Sequence, residues 1–222
     1  MTPEPHRVGL RVCLVGMPGA GKSAVGRRVA ALLGAPFHDL DSAVENALGM
    51  TVADCFARMG EGGFRRIESQ KLAELLHAGG DLVLATGGGA VLDPASRLLM
   101  RNAATTVWLR VSIDTLAERT SRGRHRPLLA RAGSGPAARL VLDRLAAERD
   151  PLYAEVAHVV LDAEGAEPGE LALEVQAALS DLDAAARRGD PTNPAAGDRY
   201  RDRHAPNGPE ETEGSEQRAW HG

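Results

Sequence analysis

The chain has 222 residues, of which 43% are hydrophobic and 25% are charged, and its formal net charge is -4. This length and composition fit one globular domain that buries its own core. The acidic balance argues against a general nucleic-acid or membrane-surface binder, because such partners favour a strongly positive surface. No segment approaches the roughly 20 apolar residues of a membrane span, and the N-terminus lacks a signal-like apolar stretch. We therefore expect a soluble protein. Its two cysteines, Cys13 and Cys55, lack metal-ligand spacing and lie in apolar stretches, which favours a reduced, cytoplasmic setting.

Short apolar segments alternate along the chain with segments whose apolar residues recur at helical spacing. Strands are predicted at 12–15, 37–40, 82–85, 105–111 and 158–161. Helices are predicted at 22–33, 52–59, 64–77, 94–101, 113–119, 136–149 and 171–182, with Asp93 and Ser112 as N-caps. Strands that alternate with helices predict an α/β fold with a mostly parallel sheet.

Three segments fall outside this pattern. Residues 1–7 are expected to be a flexible N-terminus ahead of a domain at 8–186. Residues 121–135 are rich in arginine and glycine without an amphipathic period, which predicts a mobile lid. The segment 187–222 contains no Val, Leu, Ile, Met or Phe, so burial cannot offset its ordering entropy, and we expect a disordered tail.

Gly16 to Ser23 fits the pattern G-x-x-x-x-G-K-S and lies between a predicted strand and a predicted helix, which is the context of a P-loop. Glycines allow backbone N–H groups to point at phosphate oxygens, and the helix N-terminus adds positive charge. Lys22 is placed to reach the outer phosphates, and the Ser23 hydroxyl to ligate Mg²⁺. A nucleoside triphosphate is the expected ligand.

The strand at 82–85 ends in Thr86 without the acidic residue that P-loop enzymes commonly use for Mg²⁺. Asp39 and Asp41, at the end of the second strand, are the nearest substitutes. Strand alternation would point both to one face, at the sheet edge where ligands bind in open α/β sheets. One carboxylate would serve the metal and the other a substrate hydroxyl. A solvated turn or a helix N-cap remains the alternative for this pair.

Arginines form a further set: Arg65 and Arg66 after a glycine-rich turn, four arginines between 119 and 126, and Arg149. The planar guanidinium suits carboxylates and phosphates, although a single arginine is more often a solvated surface group. In the 119–126 loop, a closing lid over a nucleotide is the favoured interpretation. Gly87, Gly88 and Gly89 follow a strand, which indicates close approach of the backbone to a ligand or to the P-loop.

Together these motifs resemble the shikimate kinase family from the P-loop to Tyr153, which covers most of the expected domain. The matching segments are Gly16–Ser23 with Val25-Gly26-Arg27, Asp39-Leu40-Asp41, Gly60-Glu61 with Phe64–Glu68, Gly87–Val91, Arg126–Leu129, and Arg149 ahead of Pro151-Leu152-Tyr153. The resemblance implies a nucleoside-monophosphate-kinase-like fold with a five-stranded parallel sheet flanked by helices, usually monomeric. It also implies transfer of the γ-phosphoryl group of ATP to the 3-hydroxyl of shikimate, in aromatic amino acid biosynthesis.

The resemblance implies a role for each matching residue. Lys22, Asp41 and Arg126 would be catalytic, with Asp41 on the ring hydroxyls. Arg65, oriented by Glu68, and Arg149 would bind the shikimate carboxylate, and Gly87, Gly88 and Gly89 would line that pocket. Asp39 would hold Mg²⁺ through water and complement Ser23. The implied ATP-binding set is Gly19, Ala20, Gly21, Lys22, Ser23, Ala24, Arg119, stacked on adenine, and Arg126, on the phosphates.

Ala24 and Leu40 stand where threonine is common in the family, and the long tail lies outside the family pattern. Ala24 removes a hydroxyl near the phosphates, whereas Leu40 is expected to point away from the site. Two alternatives remain: a related P-loop kinase acting on gluconate or a nucleotide, and a non-catalytic nucleotide or shikimate sensor. The complete catalytic set disfavours the sensor.

Overall fold

The computed structural model describes residues 10–121 and 136–188, together with the backbone of residues 200–201. In chain order the elements are β1 (Arg11–Val15), α1 (Lys22–Leu33), β2 (Phe37–Asp39), α2 (Leu40–Leu48), α3 (Val52–His77), β3 (Leu82–Ala85), a 3-10 turn (Ala90–Leu92), α4 (Pro94–Ala103), β4 (Thr105–Arg110), α5 (Ile113–Ser121), α6 (Pro136–Val156), β5 (Val159–Asp162), α7 (Pro168–Arg187) and β6 (Tyr200–Arg201). None of the described helices is long and apolar enough to cross a bilayer.

The strands form one parallel sheet in the order β2-β3-β1-β4-β5-β6 over the described residues. Five of them are the strands predicted from the sequence, and β1 lies at the centre, between β3 and β4. The sixth, β6, is two residues long and pairs with β5 from within the segment predicted to be a disordered tail. Apart from these two residues and the end of α7, that segment lies outside the described residues.

Alternate residues of β1 serve two hydrophobic cores, one on each face of the sheet. Val12 and Leu14 pack in the core that includes residues of α1 and α7. Cys13 and Val15 pack in the opposite core, with residues of α3, α4 and α6. Burial raises the pKa of the Cys13 thiol to about 12, so this cysteine stays protonated, as expected for a small buried hydrophobe. Because helices pack on both faces of the sheet, the carboxyl ends of the strands are held in fixed positions.

The predicted helices at 52–59 and 64–77 follow one another directly within α3. A kink at Gly60, where φ is 68° and ψ is 176°, separates them. Two helical halves therefore meet at this glycine. Asp93 caps α4 through the backbone N–H of Ser96, and the Ser112 hydroxyl accepts from the N–H of Thr115 at the start of α5, so both predicted caps are confirmed.

Three predicted boundaries require correction. Helix α2 was not predicted. Only two of its nine residues, Leu40 and Val44, are buried, so the sequence shows little helical periodicity of apolar residues there. Strand β2 consequently ends at Asp39, and Asp41 lies on α2 instead of alternating along a strand. Helix α6 continues past Arg149 through Pro151 to Val156. Burial of Tyr153 and Val156 offsets the backbone hydrogen bond that proline removes.

Candidate active site

The P-loop connects β1 to α1 and has a backbone that requires glycine. Gly16, Gly19 and Gly21 have φ values of 139°, 95° and 91°, in the region that disfavours other residues. A Cβ at Gly16 would also lie 2.6 Å from the carbonyl oxygen of Leu109. Since Gly21 is the N-cap of α1 and makes no side-chain cap hydrogen bond, the N–H groups of the first helical turn remain available to an anion.

Lys22 is the first residue of α1 and is 7% exposed. Its Nζ donates to the carbonyl oxygens of Gly16, at 2.8 Å, and of Met17, at 3.0 Å. The ammonium group therefore lies at the mouth of the loop, where it can contact phosphate oxygens. This geometry agrees with the predicted role of Lys22.

Ser23 and Asp39 meet across the cleft, where the Ser23 hydroxyl donates to Asp39 Oδ2 at 2.5 Å. The other oxygen, Oδ1, accepts from the backbone N–H groups of Asp41, at 3.1 Å, and Ser42, at 3.4 Å. Asp39 is thus the N-cap of α2, the alternative considered from the sequence, and also a partner of the P-loop serine. One residue fills both roles because strand and helix meet at it.

A hydroxyl and a carboxylate side by side are oxygen donors of the kind that Mg²⁺ binds. The described residues contain no group of three or more His, Cys, Asp or Glu side chains arranged to hold a metal. Ser23 and Asp39 therefore fit a magnesium ion that takes its remaining ligands from nucleotide phosphates and water, as Mg²⁺ commonly does.

The cleft above the P-loop brings together residues that are far apart in the sequence. Its lining comes from the P-loop, β2, α2, the end of β3 and α5: Gly19, Gly21, Lys22, Ser23, Ala24, Asp39, Asp41, Thr86, Gly88 and Arg119. Leu40 is fully buried in the core, in agreement with the expectation that it points away from this cleft.

Arg65 lies beside this cleft on α3 and is held by two carboxylates of the same helix. Its Nη1 donates to Glu68 at 2.6 Å, and its Nη2 donates to Glu61 at 3.2 Å. The guanidinium also stacks over the rings of Phe56 and Phe64, at 5.8 Å and 5.3 Å from their centroids. These contacts fix the direction of a cation that is only partly exposed.

The Gly87–Gly89 turn lies between the P-loop and the ion pair of Arg65 and Glu68. A Cβ on Gly87 would overlap Glu68 and lie 2.9 Å from Asp41 Oδ1, and a Cβ on Gly88 would lie 2.8 Å from Pro18 Cδ. A Cβ on Gly89 would overlap the Arg65 guanidinium. Only glycine leaves room for these groups, so the predicted close approach of the backbone is confirmed.

Helix α6 contributes Arg149 and Tyr153, which lie one turn apart. Arg149 is 2% exposed, and Tyr153 is fully buried with its hydroxyl donating to the Gly88 carbonyl oxygen at 2.5 Å. Arg149 Nε lies 3.7 Å from Glu148 and has no hydrogen-bond partner among the described atoms, which is also true of Arg65 Nε and Glu68 Oε1. Buried polar atoms without partners are costly, and a polar ligand would satisfy them.

The charges in this pocket influence one another. Burial raises the pKa of Glu68, the cations Arg65 and Arg149 oppose that rise, and the carboxylate of Asp41 adds to it. Burial likewise raises the pKa of Tyr153, with Arg149 and Arg65 acting in the opposite direction. Two arginines and two carboxylates thus share one pocket beside the phosphate cleft.

The predicted site residues converge on this cleft and pocket, with two exceptions. Arg126 lies outside the described residues, and the side chain of Ala20 packs in the hydrophobic core. The sequence interpretation did not assign a role to Glu61 or to the Tyr153 hydroxyl. Glu61 precedes Arg65 by four residues, a spacing that places both on one helix face, so helical periodicity gives a signal for it. No local pattern indicates the bond between Tyr153 and Gly88.

Comparison with known proteins agrees with this geometry. The family model described as shikimate kinase matches residues 18–180. A shikimate kinase of Aromatoleum aromaticum is 46% identical over 77% of this chain and 95% of that protein, and one of Paramagnetospirillum magneticum is 46% identical over 69% and 76%. A solved structure, shikimate kinase from Acinetobacter baumannii in complex with shikimate, has a TM-score of 0.72 and 36% identity, covering 78% of this chain and 94% of that one.

The parallel sheet, the P-loop and the adjoining arginine-rich pocket define a P-loop kinase that acts on a small anionic acceptor. The chain belongs to the shikimate kinase family.

Proposed function

We propose that the chain transfers the γ-phosphoryl group of ATP to the 3-hydroxyl of shikimate, giving shikimate 3-phosphate. The observation that carries this proposal is the Gly87–Gly89 turn, which packs the pocket of Arg65, Glu68 and Asp41 directly against the P-loop. An acceptor with a carboxylate at one end and hydroxyls at the other fits between them. Its carboxylate would meet the arginines while its hydroxyls face the phosphates.

Arg65 and Arg149 would bind the carboxylate of the acceptor. Both are largely buried, and each has an Nε atom without a hydrogen-bond partner among the described atoms. An anion between them would offset the cost of burying two cations, and a planar guanidinium can donate two parallel hydrogen bonds to a carboxylate. Glu68 and Glu61 would keep Arg65 in the required direction.

Asp41 would accept the proton of the attacking hydroxyl. It is exposed to the cleft, beside Gly87 and between the P-loop and the arginine pocket. The hydroxyl oxygen would bond to the γ-phosphorus as the bond to the bridging oxygen of ADP breaks. Lys22 and the N–H groups of the P-loop would stabilise the negative charge on the phosphoryl oxygens.

Ser23 and Asp39 would hold Mg²⁺, which when bound neutralises phosphate charge. Arg119 lines the cleft and would contact the nucleotide, and family resemblance assigns Arg126 the same role. The resemblance to the shikimate kinase family, whose members are usually monomeric, supports catalysis by a monomer. We also propose no nucleic-acid partner, from the acidic net charge, and a cytoplasmic location, from the two free cysteines, Cys13 and Cys55.

A coupled assay that measures ADP release tests this proposal with shikimate, gluconate and CMP as acceptors. We expect turnover with shikimate alone, and phosphorus NMR should place the new phosphate on the 3-hydroxyl. Turnover with gluconate or CMP but not with shikimate would favour a related kinase instead. Binding of shikimate and ATP by calorimetry without any turnover would favour a sensor.

A further inference from the structure

Glu164 lies in the loop between β5 and α7, and its carboxylate is directed at the start of α5. One oxygen, Oε2, accepts from the backbone N–H of Ser112 at 2.9 Å, and the other, Oε1, accepts from the Thr115 hydroxyl. The Glu164 backbone N–H donates to Asp162 Oδ1 at 3.0 Å, which fixes the loop itself. Glu164 therefore attaches the end of β5 to the first turn of α5.

Arg119 lies four residues after Thr115, so the two side chains share one face of α5. Desolvation opposes the ionisation of Glu164, but the hydrogen bonds from Thr115 and Ser112, together with the charge of Arg119, hold its pKa below the ordinary value. The carboxylate therefore remains ionised at neutral pH and attracts Arg119. Because Arg119 also lines the cleft of the P-loop, the influence of Glu164 extends to the nucleotide site.

We propose that Glu164 is a positioning residue for the nucleotide: it fixes the start of α5 and, through it, the Arg119 side chain over the phosphate cleft. This inference rests on the proposed function, which assigns Arg119 to the nucleotide. Glu164 itself is not among the residues that line the cleft, and it acts through Arg119. A role confined to capping α5 would instead affect stability alone.

The test compares Glu164→Gln with the parent chain in steady-state assays and in calorimetric titrations with ADP. Glutamine preserves the size of the side chain but removes the charge that attracts Arg119. We expect the KM for ATP and the Kd for ADP to rise about three- to fivefold, the range of one lost electrostatic attraction between partly exposed groups. The KM for shikimate and kcat should change less than about twofold, because the acceptor pocket is built from other elements.

Glu170→Gln is the matched control. Glu170 also accepts from a backbone N–H at a helix start, that of Glu167 at 3.1 Å, but its helix, α7, contributes no residue to the lining of the cleft. Glu170→Gln should lower the melting temperature about as much as Glu164→Gln does and should leave the KM for ATP unchanged. Equal effects of the two variants on the KM for ATP would overturn the proposal.

Arg119→Gln and the double variant complete a thermodynamic cycle. If Glu164 acts through Arg119, the double variant should have the same Kd for ADP as Arg119→Gln alone. If instead each substitution raised the Kd for ADP independently, so that the two fold-changes multiplied in the double variant, the inference would be contradicted. A normal Kd in Glu164→Gln with a raised Kd in Arg119→Gln would refute the role of Glu164 while leaving the proposed function intact. Absence of shikimate phosphorylation by the parent chain would instead refute the proposed function, and the ADP titrations would still report on Glu164.

Discussion

The Tyr153 hydroxyl donates a 2.5 Å hydrogen bond to the carbonyl oxygen of Gly88, 65 residues away in the sequence. Gly88 in turn packs against Pro18 of the P-loop. Arg149, which we propose binds the acceptor, lies one turn before Tyr153 on α6, so this bond connects its helix with the phosphate loop. We therefore expect this connection to set the spacing between acceptor and nucleotide.

Replacing Tyr153 with phenylalanine should therefore reduce both activity and stability. Loss of the hydroxyl removes a partner of the part-buried carbonyl oxygen of Gly88, which should lower the free energy of unfolding by about 0.5–1.5 kcal/mol. We expect kcat to fall about tenfold, because in-line attack is sensitive to small misplacements. Urea unfolding and the coupled assay measure the two effects.

Thr106→Val is the control for this prediction. The Thr106 hydroxyl is also buried and donates to a carbonyl oxygen, that of Met100 at 3.1 Å, near the other end of the sheet. Thr106→Val should lower the free energy of unfolding about as much as Tyr153→Phe does, but kcat should stay unchanged. A comparable loss of kcat in both variants would show that activity follows stability alone.

Gly89→Ala tests the close approach at the glycine turn. The new methyl group would overlap the guanidinium of Arg65, which must then shift away from its contacts with Glu68 and Glu61, so stability should fall by about 1–3 kcal/mol. The displaced arginine should raise the KM for shikimate at least about tenfold. Gly62→Ala on the same helix as Arg65 has open space around the added Cβ and should leave this KM unaltered. An unchanged KM in Gly89→Ala would contradict the assignment of Arg65 to the acceptor.

Lys22→Ala should reduce kcat about 100- to 1000-fold, the range for removing one preorganised donor from a developing charge. Lys71 provides a comparison, because it lies outside the cleft and its surface salt bridge with Glu74 contributes little to stability. Lys71→Ala should retain full activity in the same assay. Activity of Lys22→Ala close to that of the parent chain would refute the role of this lysine on the phosphates.

The raised pKa of Glu68 predicts a distinct pH dependence. Because the folded chain holds this proton more tightly than the unfolded chain, Glu68 contributes stability below its ordinary pKa of 4.5. That contribution is lost as the pH rises through the higher folded-state value. Urea unfolding measures this effect. The free energy of unfolding of the parent chain should fall, relative to that of Glu68→Gln, as the pH rises from 4.5 through the folded-state pKa of Glu68.

Activity should change in the opposite direction over the same interval. Ionised Glu68 orients Arg65, so kcat/KM for shikimate should fall as the pH drops through a pKa above 4.5. Glu68→Gln should have low kcat/KM without this acid limb. A parent profile whose acid limb persists unchanged in Glu68→Gln would assign that limb to another group, such as Asp41.

Much of the phosphate site was predictable because its residues are consecutive. Gly16 to Ser23 form one loop whose conformation follows from local glycine geometry and the start of a helix, so the motif and its neighbours suffice. The position of Asp39 was predictable as well, since the carboxyl ends of parallel strands share one edge. The sequence misplaced Asp41, because a short helix with two buried residues has a weak periodic signal.

By itself, the sequence determined the succession of the five main strands and of the described helices except α2, the P-loop, and the residue types available for an anionic acceptor. The tertiary structure decided which of these groups touch. Tyr153 reaches Gly88 across 65 residues, and Glu164 reaches Thr115 across 49. The helix through Pro151 likewise exists because the core buries the residues that follow it. Such contacts depend on packing between elements, and no local spacing encodes them.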